Sequence, residues 1–357
     1  NKLFPDKALD VIDAAGAVTK IAQRTDVTME TVLQQVSKIA KIKTDVIDVQ
    51  DTKGFKNLDT EIKSKVFGQN EAVDKLVESI LVSKAGLREP NKPIGSFLFV
   101  GPTGVGKTET AKQLAESMDV KLIRFDMSEY MERHSVSKLI GAPPGYVGHA
   151  EGKMGQGQLL AEVEENPNCV VLLDEVEKAA PEVLQVLLQV MDDGRLTGST
   201  GKTVDFTNVI LLMTSNLGAA KLDTAKIGFG EKTHSDADIQ ATKQFFTPEF
   251  RNRIDAFIRF NKLGKPEIRS IVKRTVKDTN DLLKSNDSKV KIKLTTAATK
   301  YFVEQGYDPL MGARPLKRLF EEKVKKPLSK KILFDEAHAE VITVDIVDDE
   351  VIFVSNA

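Results

Sequence analysis

The 357-residue sequence has no tryptophan, a single cysteine and only four histidines. One cysteine excludes an internal disulfide framework and fits a reducing compartment such as the cytoplasm. Cys169 itself adjoins an apolar run and reads as a small packing residue. The histidines, at positions 134, 149, 234 and 338, show no metal-ligand spacing. No His–Cys or Ser–His pairing suggests nucleophilic catalysis. Long apolar runs are also missing. Val170–Leu173 and Val209–Met213 fall far short of the roughly 20 residues of a membrane span. Neither sign of charge is in excess: 51 Lys+Arg against 52 Asp+Glu leave a formal charge of −1. That balance gives no sign of a protein built to coat nucleic acid or an anionic membrane. What remains is 29% charged and 41% hydrophobic, an ordinary globular composition with length for two or three domains. No signal peptide is visible, and the opening Asn1-Lys2-Leu3-Phe4-Pro5-Asp6 reads like the interior of a longer polypeptide.

The first 60 residues look helical. Pro5 sits near a helix start, Leu9, Val11 and Ile12 can share a buried stripe, and Thr28 is a plausible N-cap for Met29–Ala40. Residues 41–56 are polar and irregular and read as a linker. From Ser64 the texture changes to strands alternating with helices, the signature of a parallel α/β sheet. Strands are expected at Ser96–Val100, Leu122–Phe125, Val170–Leu173 and Val209–Met213, with helices at Glu109–Met118 and Pro181–Met191. Around Asn261 the chain punctuates again. Pro266 opens a basic helix, Thr295–Glu304 and Pro315–Phe334 continue as helices, and Glu340–Asp345 with Glu350–Val354 suggests a closing hairpin. The fold class is therefore α/β: a large parallel-sheet domain followed by a smaller, mostly helical one.

Gly101-Pro102-Thr103-Gly104-Val105-Gly106-Lys107-Thr108 fits the phosphate-binding pattern G-x-x-x-x-G-K-[ST]. Glycines let backbone N–H groups close around phosphate oxygens, Lys107 reaches the β- and γ-phosphates, and Thr108 can ligate Mg²⁺. About 70 residues on, an apolar strand ends in Asp174-Glu175. There Asp174 suits the metal and Glu175 can orient an attacking water. Alone, such a pair is a solvated turn; paired with the loop it is functional. Asn216, after Val209–Met213, sits at the carboxyl end of another strand, as a ligand group or as an Asx turn before Leu217-Gly218. Gly145-Tyr146-Val147-Gly148 places an aromatic on a glycine-flanked loop, either to grip a partner or to fold back on its own domain. Ile227-Gly228-Phe229 is a short apolar tripeptide among polar residues, a local anchor or a docking peg.

Together these stretches resemble the Clp/Hsp100 family of AAA+ unfoldases, and most of all the second ATPase module of its ClpA-type members. The resemblance covers essentially the whole chain. It is carried by Val66-Phe67-Gly68-Gln69, the phosphate loop, residues 125–134, Ile140–Gly148, Leu172–Lys178, Phe246–Asp255 and Gly306–Arg314. It implies ATP and Mg²⁺ as cofactors, Asn216 as a sensor of the γ-phosphate or the water, and Val66 and Phe67 near the adenine. It further implies Arg253 as an arginine finger reaching a neighbouring subunit's nucleotide, with Arg251 as its rival, and Arg314 as a second sensor. A planar guanidinium suits the charge spread over a transferring phosphoryl group. In the family the loop around Tyr146 lines a central pore and grips unfolded or tagged polypeptide, Gly194–Gly201 resembles a second pore loop, and the Ile227–Phe229 tripeptide docks on a ClpP-type peptidase ring. The implied assembly is a homo-hexamer, with adaptor proteins as further partners and peptide cleavage left to the peptidase.

By the same resemblance, residues 1–60 are the end of a first module's small domain plus linker, 61–262 the large ATPase domain and 263–357 the small one. Only 48 residues separate Ala17 from Val66, too few for the coiled-coil middle domain of disaggregases. A disaggregase without peptidase is the alternative, and a nucleic-acid motor a more distant one. Gly145–Gly148 carries no charge, whereas a nucleic-acid channel would want Lys or Arg beside its aromatics. The near-neutral balance also conceals a split. Residues 261–330 hold 18 Lys/Arg against 8 Asp/Glu, which suits contacts between subunits of a ring.

Overall fold

A computed structural model describes residues 5–40, 55, 57–141, 156–217, 237–286, 288, 290–309, 311–334, 341–348 and 350–356. The expected loops Gly145–Gly148 and Ile227–Phe229, and nearly all of the 41–56 linker, lie outside them.

Five strands form one parallel sheet: β1 (Gly95–Val100), β2 (Lys121–Asp126), β3 (Cys169–Asp174), β6 (Val209–Ser215) and β7 (Ala256–Arg259), in the order β2-β3-β6-β1-β7. Every residue of β1, β3 and β6 is buried, so these strands read as continuous apolar runs. Side chains alternate between two cores. Phe97 and Phe99 face Ile62, Leu76, Ala111 and Leu114 on one side. Leu98 and Val100 face Val163, Leu187 and Val190 on the other. The register pairs Val100 with Ser215 and Asp126 with Asp174. The carboxyl ends of the strands therefore finish together, at the edge where parallel α/β sheets bind ligands.

The first core continues into the C-terminal part, where Phe302, Phe320 and Val344 belong to the same buried cluster as Phe97. That part comprises the helix Lys265–Ser285, β8 (Lys291–Leu294), the helices Thr296–Gln305, Arg314–Phe320 and Lys326–Phe334, and β9 (Val341–Val347) with β10 (Glu350–Asn356). β9 and β10 make the expected hairpin, and β8 adds to it in parallel. The large parallel-sheet domain and smaller mixed domain are thus as anticipated, and Thr28 does cap its helix, accepting from Thr31 N at 3.3 Å.

Several details differ. The N-terminal helix Asp6–Ile21 buries Ala15 and Thr19, while Leu9 and Ile12 are 55% and 62% exposed, so the expected apolar stripe is not its inner face. Residues 315–334 are not one regular helix. A π turn at Glu321–Lys325 interrupts them, and Val324 within it is buried. β7 and the hairpin of β4 (Arg195–Thr197) with β5 (Thr203–Asp205), whose first strand lies in the suspected second pore loop Gly194–Gly201, were not anticipated. No helix among the described residues is long and apolar enough to cross a membrane.

Candidate nucleotide site

The loop between β1 and the helix Lys107–Ser117 is held open by hydrogen bonds to its carbonyls. Lys107 is only 7% exposed, and its Nζ donates to Gly101 O at 2.5 Å, Pro102 O at 2.9 Å and Asn216 Oδ1 at 2.7 Å. Further on, Ala313 N donates to Gly104 O at 3.1 Å and Gln69 Nε2 to Val105 O at 3.1 Å. A trans peptide points its N–H opposite to its C=O. Anchoring these two carbonyls therefore turns the N–H groups of Val105 and Gly106 the other way, where they donate to no other group among the described residues. Free backbone donors beside the positive end of a helix make an anion cradle. Gly104 is required here by contact as well as by its φ of +72°: a Cβ would lie 2.0 Å from Met311 O. Gly312 meets it from the other side, where a Cβ would lie 2.6 Å from Thr103 O. The small domain thus presses main chain against the phosphate loop.

The carboxylates stand opposite. Asp174, at the end of β3, accepts from Thr214 Oγ1 at 2.5 Å on Oδ1. Its Oδ2 accepts from Thr108 Oγ1 at 3.3 Å and Arg124 Nη2 at 2.7 Å. Glu175 follows in the left-handed region, φ 57° and ψ 51°, a conformation costing a non-glycine residue about 1–2 kcal/mol, which the surrounding hydrogen bonds must hold. Its N–H donates to Thr214 Oγ1 at 3.0 Å, its Oε1 accepts from Asn216 Nδ2 at 3.1 Å, and its Oε2 pairs with Lys178 Nζ at 2.5 Å. The Glu175 carboxylate pushes the Lys178 ammonium above its ordinary pKa. Asn216 is fixed in turn by its own N–H, which donates to Glu177 Oε1 at 3.0 Å. Lys107, Asn216 and Glu175 form one chain of contacts, and Thr108 and Asp174 a second, adjacent one. A hydroxyl and a carboxylate suit a hard cation such as Mg²⁺. Among the described residues no group of three or more acidic, His or Cys side chains can hold a metal unaided. Phosphate oxygens and water must complete such a site, which is the usual arrangement for nucleotide-bound Mg²⁺.

The remaining expected residues divide. Val66 is buried next to the loop: a Cβ on Gly106 would lie 3.6 Å from Val66 Cγ1. Phe67 beside it is half-buried. Arg314 opens its helix immediately after Ala313, exposed and with no side-chain partner among the described residues. Arg253 is not brought to this site. Its Nε pairs with Asp192 Oδ2 at 2.5 Å and its Nη1 donates to Glu249 O at 3.0 Å, and the bond to Asp192 raises its pKa. Among the described residues Arg251, its rival, makes no contact with the site, and its Nε is buried without a hydrogen-bond partner. Sequence reasoning gave no role to Arg124, Thr214, Glu177, Lys178 or the side chain of Gln69. Glu177 and Lys178 lay inside the Leu172–Lys178 stretch and Gln69 inside Val66–Gln69, whereas Arg124 had no signal because only strand pairing brings it to Asp174.

Comparison with known proteins adds to this geometry. Residues 92–257 match the family described as AAA domain (Cdc48 subfamily), residues 263–346 the C-terminal, D2-small domain of ClpB protein, and residues 1–64 an AAA lid domain. A ClpA homolog protein of Fuscovulum blasticum is 47% identical over 99% of this chain and 44% of its own length. An ATP-dependent Clp protease ATP-binding subunit ClpE of Lactococcus lactis is 45% identical over 84% of this chain and 40% of its own. A Chaperone protein ClpB 1 of a Nostoc species is 45% identical over 87% and 35%. The chain therefore spans less than half the length of these relatives. Among solved structures, a closed-state cryo-EM reconstruction of Hsp104 with ATPγS and FITC casein is similar with a TM-score of 0.81 and 34% identity, covering 99% of this chain and 61% of that one. With the three family matches in chain order and the phosphate loop, acidic pair and Asn216 gathered at one sheet edge, the chain belongs to the Clp/Hsp100 family of AAA+ ATPases.

Proposed function

We propose that the chain is the ATP-hydrolysing motor of a protein unfoldase and translocase, working in a cytoplasmic hexamer that threads polypeptide toward a ClpP-type peptidase. The observation that carries the reading is the bridge from Lys107 through Asn216 to Glu175. It joins the phosphate loop to the residue that would orient the attacking water. In this reading the backbone donors of the loop and Lys107 hold the β- and γ-phosphates, and Val66 and Phe67 flank the adenine. Thr108 and Asp174 would hold Mg²⁺, whose chemistry there is to neutralise charge developing on the phosphate oxygens. Glu175 accepts a proton from the attacking water, with Asn216 fixing its carboxylate. Arg314 approaches from the small domain, and Arg253 serves a neighbouring subunit after exchanging Asp192 for that subunit's nucleotide. Hydrolysis then depends on assembly, and the proposed boundary at 262–263 becomes the hinge that converts it into movement. Tyr146 would grip substrate in the pore, with adaptors choosing which substrates enter.

Replacing the base tests this. Glu175→Gln should bind ATP with little change and hydrolyse it at least about 100-fold more slowly, the usual scale of losing a positioned base. It should then retain unfolded protein and the peptidase in a pull-down with ATP. Normal turnover in Glu175→Gln overturns the assignment. The match of residues 263–346 to a ClpB small domain favours a second reading, a disaggregase that needs no peptidase. Deleting residues 227–229 separates the two: the first reading expects intact ATPase and lost degradation, the second no loss of any activity.

A further inference from the structure

Gln69 sits just before the helix Asn70–Lys84 and is 2% exposed. All three of its side-chain hydrogen bonds go to main chain. Nε2 donates to Val105 O at 3.1 Å and to Asn261 O at 2.9 Å, and Oε1 accepts from Asn261 N at 3.0 Å. A primary amide has two N–H donors and one carbonyl, and here both donors and the acceptor are engaged. Glutamate would set a carboxylate oxygen against two carbonyls; methionine would offer no donor. The two segments it joins are remote in sequence and different in kind. Val105 lies in the phosphate loop. Asn261 lies where the chain leaves the sheet for the small domain: Phe260 N still donates to Val100 O at 2.8 Å, and the Phe260 ring packs 5.0 Å from Phe99. Asn261 is the next residue along, and both of its backbone polar groups go to Gln69 instead.

We propose that Gln69 is a positioning residue for the nucleotide's phosphates, tying one peptide of the phosphate loop to the hinge of the small domain. This rests on the ATP reading above. By holding the Val105 carbonyl, Gln69 turns the Gly106 N–H toward the anion cradle, since the peptide is planar and trans. By holding Asn261, it makes that orientation depend on the path of the hinge. The bond from Ala313 N to Gly104 O fixes the preceding peptide from the small domain in the same way. Phosphate binding and small-domain position are then linked, and each must bias the other equally.

The test compares ligands with and without phosphate on the full 357-residue chain. Gln69→Met keeps the side-chain length and removes the donors. It should weaken ADP binding about tenfold by titration calorimetry and leave adenosine within about twofold, because only the phosphates meet the loop. Equal losses for both ligands would reduce Gln69 to a structural role and overturn the proposal, as would unchanged ADP affinity. Should Gln69→Met fail to fold, Gln69→Glu keeps the acceptor for Asn261 N–H and is judged by the same comparison. Failure of the unaltered chain to bind ADP would instead overturn the ATP reading itself, so the two failures are distinct.

Discussion

Replacing Thr214 with valine removes a single oxygen from the centre of the site and barely changes its volume. Thr214 is fully buried. Its hydroxyl donates to Asp174 Oδ1 at 2.5 Å and accepts the Glu175 N–H at 3.0 Å. A charge-assisted bond of that kind contributes about 1.5–3 kcal/mol, and stranding a backbone donor costs about 1–3 kcal/mol. Asp174 keeps Arg124 and Thr108 on its other oxygen, so ~3 kcal/mol is a reasonable total. Stability should fall by that amount in urea titration. Catalysis should suffer separately. Glu175 is held in the left-handed region partly by this bond, and without it the carboxylate is free to swing from Asn216. Hydrolysis under saturating ATP should drop about 100-fold, equivalent to ~2.7 kcal/mol. Nucleotide affinity should change less than about threefold, because the phosphate loop makes no use of Thr214. Thr214→Ser restores the hydroxyl and should recover most of the rate. Wild-type hydrolysis by Thr214→Val, or a serine variant as slow as the valine, would mean that the Thr214 hydroxyl does not hold Glu175 in place.

Gly104→Ala would force a residue with a Cβ into φ +72° and against the Met311 carbonyl; amide exchange in residues 311–313 should accelerate and ATP affinity fall at least about tenfold, and unchanged exchange would count against main-chain docking of the small domain. Asp192→Asn releases Arg253 from a partly exposed ion pair; melting should be unaffected, while the ATPase should reach half-maximum at a lower protein concentration if Arg253 serves a neighbour. Burial pushes the Cys169 thiol up to about 12; it should resist alkylation at pH 8 until the chain unfolds. Because its folded pKa lies above the unfolded value near 9, its contribution to stability is complete below pH 9 and is lost as the pH rises toward 12. A Cys169→Ala variant should lack that alkaline loss.

Legibility followed burial. β1, β3 and β6 are covered on both faces, so their apolar runs stand out in the sequence. β7 has four residues and alternates buried with half-buried positions, leaving no such run. β4 and β5 are shorter still and expose two of every three side chains. Leu9 and Ile12 misled because helical spacing marks a possible inner face without saying which face packs; the helix turns Ala15 and Thr19 inward. In the site, the phosphate loop and Asp174-Glu175 were readable because their chemistry is local in sequence. Arg124, Thr214 and Gln69 were not assigned because each acts on a residue 36 to 192 positions away.

Local pattern was enough for the parallel α/β character, the phosphate loop between a strand and a helix, and the acidic pair closing another strand. Hydrophobic periodicity and glycine placement act over a few residues and need no tertiary context. Strand order came from the fold: β6 lies between β3 and β1, which sets Asn216 between Lys107 and Glu175. The fold alone closes Gly312 and Ala313 of the small domain on Gly104, and lets one glutamine hold both the phosphate loop and Asn261, where the chain leaves the sheet. Hydrogen bonds act within about 3 Å, so which groups meet is fixed by strand order and register rather than by any local pattern of residues.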